Sequence, residues 1–267
     1  NYNFVEVVSF QELSKLAERY GAVILHGERG NFHRYLIQDG ETVYQYALDA
    51  TQPDELYPDF GEFKRALRQA IRDNELKLYY QPVASLEKGE ILGVEALLRW
   101  THPQHGIIYP ADFINRAEEG DLMGDIDDLV LEQVCYQVRM WQEQDVPFGE
   151  ISVNVSHDRL IQPSFVKWLE ELLGEVGCDP NFLQLEINRA NRIAQDEVTL
   201  ENLAKLKGMG IHLAIDNFAT AESNQVNYLS SMPVDWVKID RSVIQDPQNN
   251  PLVSAVVRMA QSLSLKV

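Results

Sequence analysis

Five short apolar stretches each carry a polar residue of a type that can bind a cation or move a proton. Glu95 sits in Val94-Glu95-Ala96, and Asn154 closes Ile151-Ser152-Val153-Asn154. Glu186 lies in Leu183-Gln184-Leu185-Glu186-Ile187, Asp216 and Asn217 follow Leu213-Ala214-Ile215, and Lys238 and Asp240 flank Ile239. A carboxylate on an apolar strand needs an opposite charge, a donor or a metal. The set is rich in oxygen and contains neither Cys nor His, which suits a hard cation such as Mg²⁺ or Mn²⁺. Lys238 adds a fixed cation of the kind that stabilises charge on a transferring phosphoryl group. At Glu95 two readings stand: an ion pair with Arg99, or a metal ligand beside a phosphate-binding arginine.

The bulk composition narrows the classes. A length of 267 residues with 45% hydrophobic residues gives room for one large domain, or one domain and a small module. The net charge of −18 argues against DNA or RNA polymers as partners. It is compatible with a small phosphorylated ligand, because local arginines or metals overturn the global sign. Cys135 and Cys178 are the only cysteines, which points to a reducing, cytoplasmic setting and buried thiols. His102-Pro103-Gln104-His105 has the look of a ligand pair, but no further Cys or His stands near it, so a solvated loop is expected. No stretch reaches the roughly 18 apolar residues of a membrane span, and no signal peptide is seen.

The elements that must position these residues follow from periodicity. In residues 1–58, Phe4–Val8 alternates as a strand, and Ser9 with Glu12 has capping-box spacing for a helix over 10–20. Ala22–His26 reads as a strand, and Arg34–Gln38 and Thr42–Leu48 flank the hairpin signal Asp39-Gly40. This is a small α+β module followed by an acidic, proline-containing linker over 49–58. From residue 59 to 267 strands and helices alternate. Strands are expected at Leu76–Ala84, Ile91–Trp100, Ile151–Val155, Leu183–Ile187, His212–Phe218 and Trp236–Ile239. Helices are expected around Phe63, Leu67 and Ile71, over Ile126–Gln144, from Phe165 to Val176, through Leu200, Leu203 and Leu206, and over Val253–Leu263. Such alternation predicts a parallel sheet. Without a glycine-rich phosphate loop after the first strand, a TIM-type (β/α) barrel fits better than a doubly wound sheet. In a barrel the five polar strand positions converge on one mouth.

Here the sequence resembles the EAL domain, the cyclic di-GMP phosphodiesterase family of bacterial signal transduction. The name motif stands at Glu95-Ala96-Leu97, and Tyr79-Tyr80-Gln81-Pro82-Val83 is similar to the opening strand. Pro110-Ala111-Asp112-Phe113-Ile114, Asn154-Val155-Ser156 and Pro233-Val234-Asp235-Trp236-Val237-Lys238-Ile239-Asp240 match in order. The resemblance implies a TIM-type barrel, usually a homodimer, driven by an upstream sensor or regulatory domain. It implies metal ligands at Glu95, Asn154, Glu186, Asp216 and Asp240, with Lys238 orienting a hydrolytic water. Gln81, Leu97, Arg99 and Asp112 would hold the nucleotide. Two metals lower the pKa of a bridging water and clamp the attacking and leaving oxygens.

The departures from the family point elsewhere. Two consecutive aspartates become Asp216-Asn217, which keeps an oxygen and loses a bridging charge. The glutamate that anchors the following loop is Arg189. In Phe218-Ala219-Thr220-Ala221 the alanines replace glycines, and alanine resists positive φ, so this loop is expected to fold differently. The chain stops at Leu263-Ser264-Leu265-Lys266-Val267, before the family's terminal glutamate, last strand and helix, so the barrel is expected to be incomplete there. The sum predicts a degenerate member in which at most one Mg²⁺ or Mn²⁺ binds. Its role would be to bind nucleotide or regulate, with little or no hydrolysis. The alternatives are an active metal-dependent phosphodiesterase and a protein-interaction scaffold that binds no nucleotide.

Overall fold

A computed structural model describes residues 57–188, 196–220, 229 and 232–267, and the backbone of 25–28, 31–38 and 41–47. It divides into two compact units, Tyr2–Gly149 and Glu150–Val267.

In the first unit, β1 (Leu25–Glu28), β2 (Asn31–Gln38) and β3 (Glu41–Ala47) form an antiparallel meander. The register pairs Gln38 with Glu41, the two residues that flank Asp39-Gly40 in sequence. Of the strand expected at Ala22–His26, Leu25 and His26 lie in β1; residues 22–24 and 39–40 lie outside the described set, as do the strand over 4–8, the helix over 10–20 and the linker through residue 56.

Helix α1 (Phe60–Arg72) starts at Asp59, whose side chain accepts from Glu62 N, and buries Phe63, Leu67 and Ala70. Next come β4 (Leu76–Ala84) and β5 (Ile91–His102), joined by residues 85–90. They pair antiparallel along their whole length. Strand–helix alternation therefore fails at this first pair, because so short a connection cannot hold the crossover a parallel pair needs. A short β6 (Gly106–Ile108) folds back on β5. Helix α2 (Pro110–Glu119) opens with proline at its first position, where a missing N–H costs nothing. Helix α3 (Met123–Glu143) presents the stripe Ile126, Val130, Val134, Val138 and Trp141 to the core. Trp141 meets Tyr80 edge to face with ring centroids 5.0 Å apart.

The second unit is a sector of parallel α/β structure. β7 (Glu150–Val155), β8 (Leu183–Ile187), β9 (His212–Phe218) and β10 (Trp236–Ile239) lie side by side, all parallel. Between them run α4 (His157–Leu160), α5 (Phe165–Val176) and α6 (Glu197–Gly208). Ile151, Val153, Leu183, Leu185, Leu213, Ile215 and Val237 are completely buried, the pattern of strands covered on both faces. Gly177 ends α5 in the left-handed conformation at φ 72°, which only glycine adopts without a steric cost. After α7 (Arg241–Gln245) and α8 (Asn250–Ser262) the chain returns to the sheet, and Lys266 bridges Trp236 in parallel. Cys135 and Cys178 are both buried, as expected of thiols in a chain with so few cysteines.

Candidate functional site

Within Glu150–Val267, strand register gathers the polar residues. Asn154 of β7 pairs with Glu186 of β8, which pairs with Ala214 of β9, which pairs with Trp236 of β10. Paired positions share a face, and so do residues two apart on one strand. Asn154, Glu186, Asp216 and Lys238 therefore lie on one face at the carboxyl ends of four parallel strands. Glu186 is fully buried, and the Lys238 ammonium donates to its Oε1 across β9. That span crosses two strand spacings, roughly 10 Å, and passes the strand that carries the small Ala214. A buried carboxylate needs an opposite charge of this kind beside it.

Beside the pair runs a chain of amides. Asn188 Nδ2 donates to Asn154 Oδ1 at 2.8 Å. Asn217 Nδ2 donates to Asn188 Oδ1 at 2.7 Å and to Asp216 Oδ2 at 3.0 Å. Sequence reasoning missed Asn188. The signal was there in kind, since it is the first polar residue after the apolar run of β8, where Asn154 and Asp216 stand on their own strands.

Asn217 and Ala219 both take positive φ, 53° and 69°. The left-handed turn after β9 is thus kept at Ala219 although its Cβ opposes it, at a cost of roughly 1–2 kcal/mol. Ala221 and Arg189 lie outside the described residues. Asp240, expected as a metal ligand, serves as the N-cap of α7: its Oδ1 accepts from Ser242 N at 2.7 Å and from the Ser242 hydroxyl.

Within Tyr2–Gly149, a second group forms on the β4–β5 ribbon. Gln81 pairs with Glu95, Tyr79 with Leu97 and Lys77 with Arg99, so Gln81, Glu95, Leu97 and Arg99 share one face. Asp112 stands in the first turn of α2. Arg99 is 8% exposed; its Nη1 donates to Leu98 O at 2.6 Å, its head lies 5.0 Å from the Tyr109 ring centroid, and its Nε has no hydrogen-bond partner. Burial pulls its pKa down from the usual arginine value, against the pull of Tyr109, Tyr79 and Glu95. The Arg99 head is held by Leu98 O and the Tyr109 ring, and it feels the charge of Glu95 four residues away on the same face.

The expected solvated loop at His102–His105 needs correction. His102 is buried: its Nδ1 accepts from the backbone N–H groups of Gln104 and His105, and its Nε2 lies 2.7 Å from the Tyr57 hydroxyl. It organises the β5–β6 turn, while Pro103, Gln104 and His105 are exposed.

The sequence profile of the EAL domain matches residues 64–267, and the chain belongs to that family. It is 32% identical over 234 residues to the bifunctional diguanylate cyclase/cyclic di-GMP phosphodiesterase MucR of Pseudomonas aeruginosa, covering 86% of this chain and 33% of MucR. It is 34% identical over 210 residues to the cyclic di-GMP phosphodiesterase NbdA of the same organism, covering 77% of this chain and 27% of NbdA. The chain thus spans a third or less of the length of these curated relatives. A solved structure of the PaMucR phosphodiesterase in complex with c-di-GMP superposes with a TM-score of 0.71 at 34% identity, covering 76% of this chain and 84% of that one. The fold class is that of the EAL domain, a TIM-type (β/α) barrel.

The donor types at the strand ends fit a hard divalent cation, because Glu186, Asp216 and Asn154 all offer oxygen. Among the described residues no three or more His, Cys, Asp and Glu side chains surround one point. Glu186 Oε1, Asp216 Oδ2 and Asn154 Oδ1 each accept from an N–H donor.

Proposed function

We propose that this chain acts in cyclic di-GMP signalling as a nucleotide-binding or regulatory EAL module with little or no hydrolysis. The observation that carries this reading is Asn217. Where active relatives have a second aspartate, an amide N–H faces Asp216 Oδ2 at 3.0 Å. A donor in that place supplies no negative charge to hold two mutually repelling cations together.

Residues 59–267 form the EAL portion and residues 1–58 a module through which an upstream sensor acts, with a homodimer as the assembly. Arg99 takes a phosphate, since a guanidinium fork matches phosphate oxygens, and Gln81, Leu97 and Asp112 complete the nucleotide contacts. A single Mg²⁺ or Mn²⁺ would be held by Glu186, Asp216 and Asn154, with Glu95 and Asp240 as the other carboxylates of the family pattern. Such a cation would polarise a phosphoryl oxygen. Lys238 pairs with Glu186 and places its ammonium charge at the carboxyl ends of the strands.

The reading of an active phosphodiesterase rests on the retained Glu186–Lys238 pair and on the activity named for MucR and NbdA. Titration calorimetry with cyclic di-GMP in Ca²⁺ tests the binding half of the proposal. Saturable binding at one nucleotide per domain is expected; heats indistinguishable from dilution would leave only a scaffold.

A further inference from the structure

We infer that Asn188 is a positioning residue that weakens divalent-cation binding at this site. Resting on the reading above, it names the residue that makes the defect at Asn217 more than a lost charge. A metal ligand must offer a lone pair in the right direction. Asn154 has one side-chain oxygen, and Asn188 Nδ2 donates to it at 2.8 Å. The other end of the same amide, Oδ1, accepts from Asn217 Nδ2 at 2.7 Å. This second bond turns the Asn217 amide so that the same nitrogen reaches Asp216 Oδ2 at 3.0 Å. One half-buried side chain, on the residue after β8, thus sets the orientation of a group on β7 and of another on β9.

The chemistry of the chain is that of a cation surrogate. Amide N–H groups satisfy Asn154 Oδ1 and Asp216 Oδ2, and the Lys238 ammonium satisfies Glu186 Oε1. Filling the site with metal requires breaking these bonds and turning at least one amide. Restoring a carboxylate with Asn217→Asp removes the donor facing Asp216. It leaves Asn188 free to keep donating to Asn154. Both changes are therefore needed before Asn154 and Asp216 are both released to a cation.

The test is Mn²⁺ binding to the whole chain without nucleotide, followed by the electron paramagnetic resonance of free Mn²⁺, for the native chain, Asn217→Asp, Asn188→Ala and the double variant. Thermal melting checks that each is folded. The single variants are expected to stay within about threefold of the native affinity. The double variant is expected to bind roughly 10-fold tighter or better, the scale on which orienting partners tune metal sites. Should the alanine variant fail to fold, the near-isosteric Asn188→Leu makes the same test, since an alkyl group cannot donate to Asn154 and adds no charge. Equal affinity in Asn217→Asp and the double variant would overturn the inference. Because no nucleotide is present, failure to bind cyclic di-GMP sinks the signalling proposal and leaves this one standing.

Discussion

Four residues carry three separable physical claims. Glu186 is fully buried against Lys238, and losing one partner of a buried pair costs far more than losing both. Lys238→Met is expected to destabilise the fold by about 3 kcal/mol, and adding Glu186→Gln should recover most of that in a denaturant-unfolding cycle. A double variant as unstable as the single would mean that the pair is not the unit. Ala219 sits at φ 69°, where a Cβ is strained. Ala219→Gly should therefore raise unfolding stability by about 1 kcal/mol, the relief of the left-handed strain less the entropy that glycine adds to the unfolded chain. Arg99→Ala should weaken cyclic di-GMP binding roughly 10-fold or more, from the 1.5–3 kcal/mol of a charged hydrogen bond. Unchanged affinity would place the phosphate elsewhere.

At the scale of elements, the apolar runs were legible and their surroundings were not. β4, β8, β9 and β10 begin and end where the sequence reading puts them, because short apolar segments bounded by polar residues leave little choice of register. The antiparallel turn of β4 onto β5 does not show in the apolar pattern, which is that of the strand–helix alternation in the rest of the chain. Short helices such as α4 and α7 were missed too, having too few turns to show a period. Asn188 escaped because it stands one residue beyond its strand, and its importance comes from neighbours 29 and 34 residues away. His102 looked solvated because backbone acceptors and donors do not show in a sequence. Burial, then the neighbouring His105, pulls its pKa below the ordinary histidine value, with Glu75 opposing. A depressed histidine contributes stability that is fully present above the unfolded value near 6.5 and is lost as pH falls through the folded value. Melting temperatures between pH 7 and pH 5 should therefore drop more for the native chain than for His102→Gln. Equal slopes would show that His102 carries no part of the acid sensitivity.

For the whole molecule, family membership and fold class were readable from spaced motifs in the right order, and the profile match over 64–267 bears them out. The five polar positions read as one site because each broke an apolar strand. Within Glu150–Val267 the structure puts Asn154, Glu186, Asp216 and Lys238 on one face, while Asp240 caps a helix. The proposed binding without turnover rests on charge: one amide in place of a carboxylate, and N–H donors already on the ligand oxygens. The most direct measurement is chromatography of cyclic di-GMP incubated with a stoichiometric excess of the chain in Mn²⁺. The nucleotide is expected to be recovered intact and cyclic after hours. Conversion to the linear dinucleotide at rates on the order of 1 s⁻¹, those of working enzymes, would contradict the account and make this chain an active phosphodiesterase.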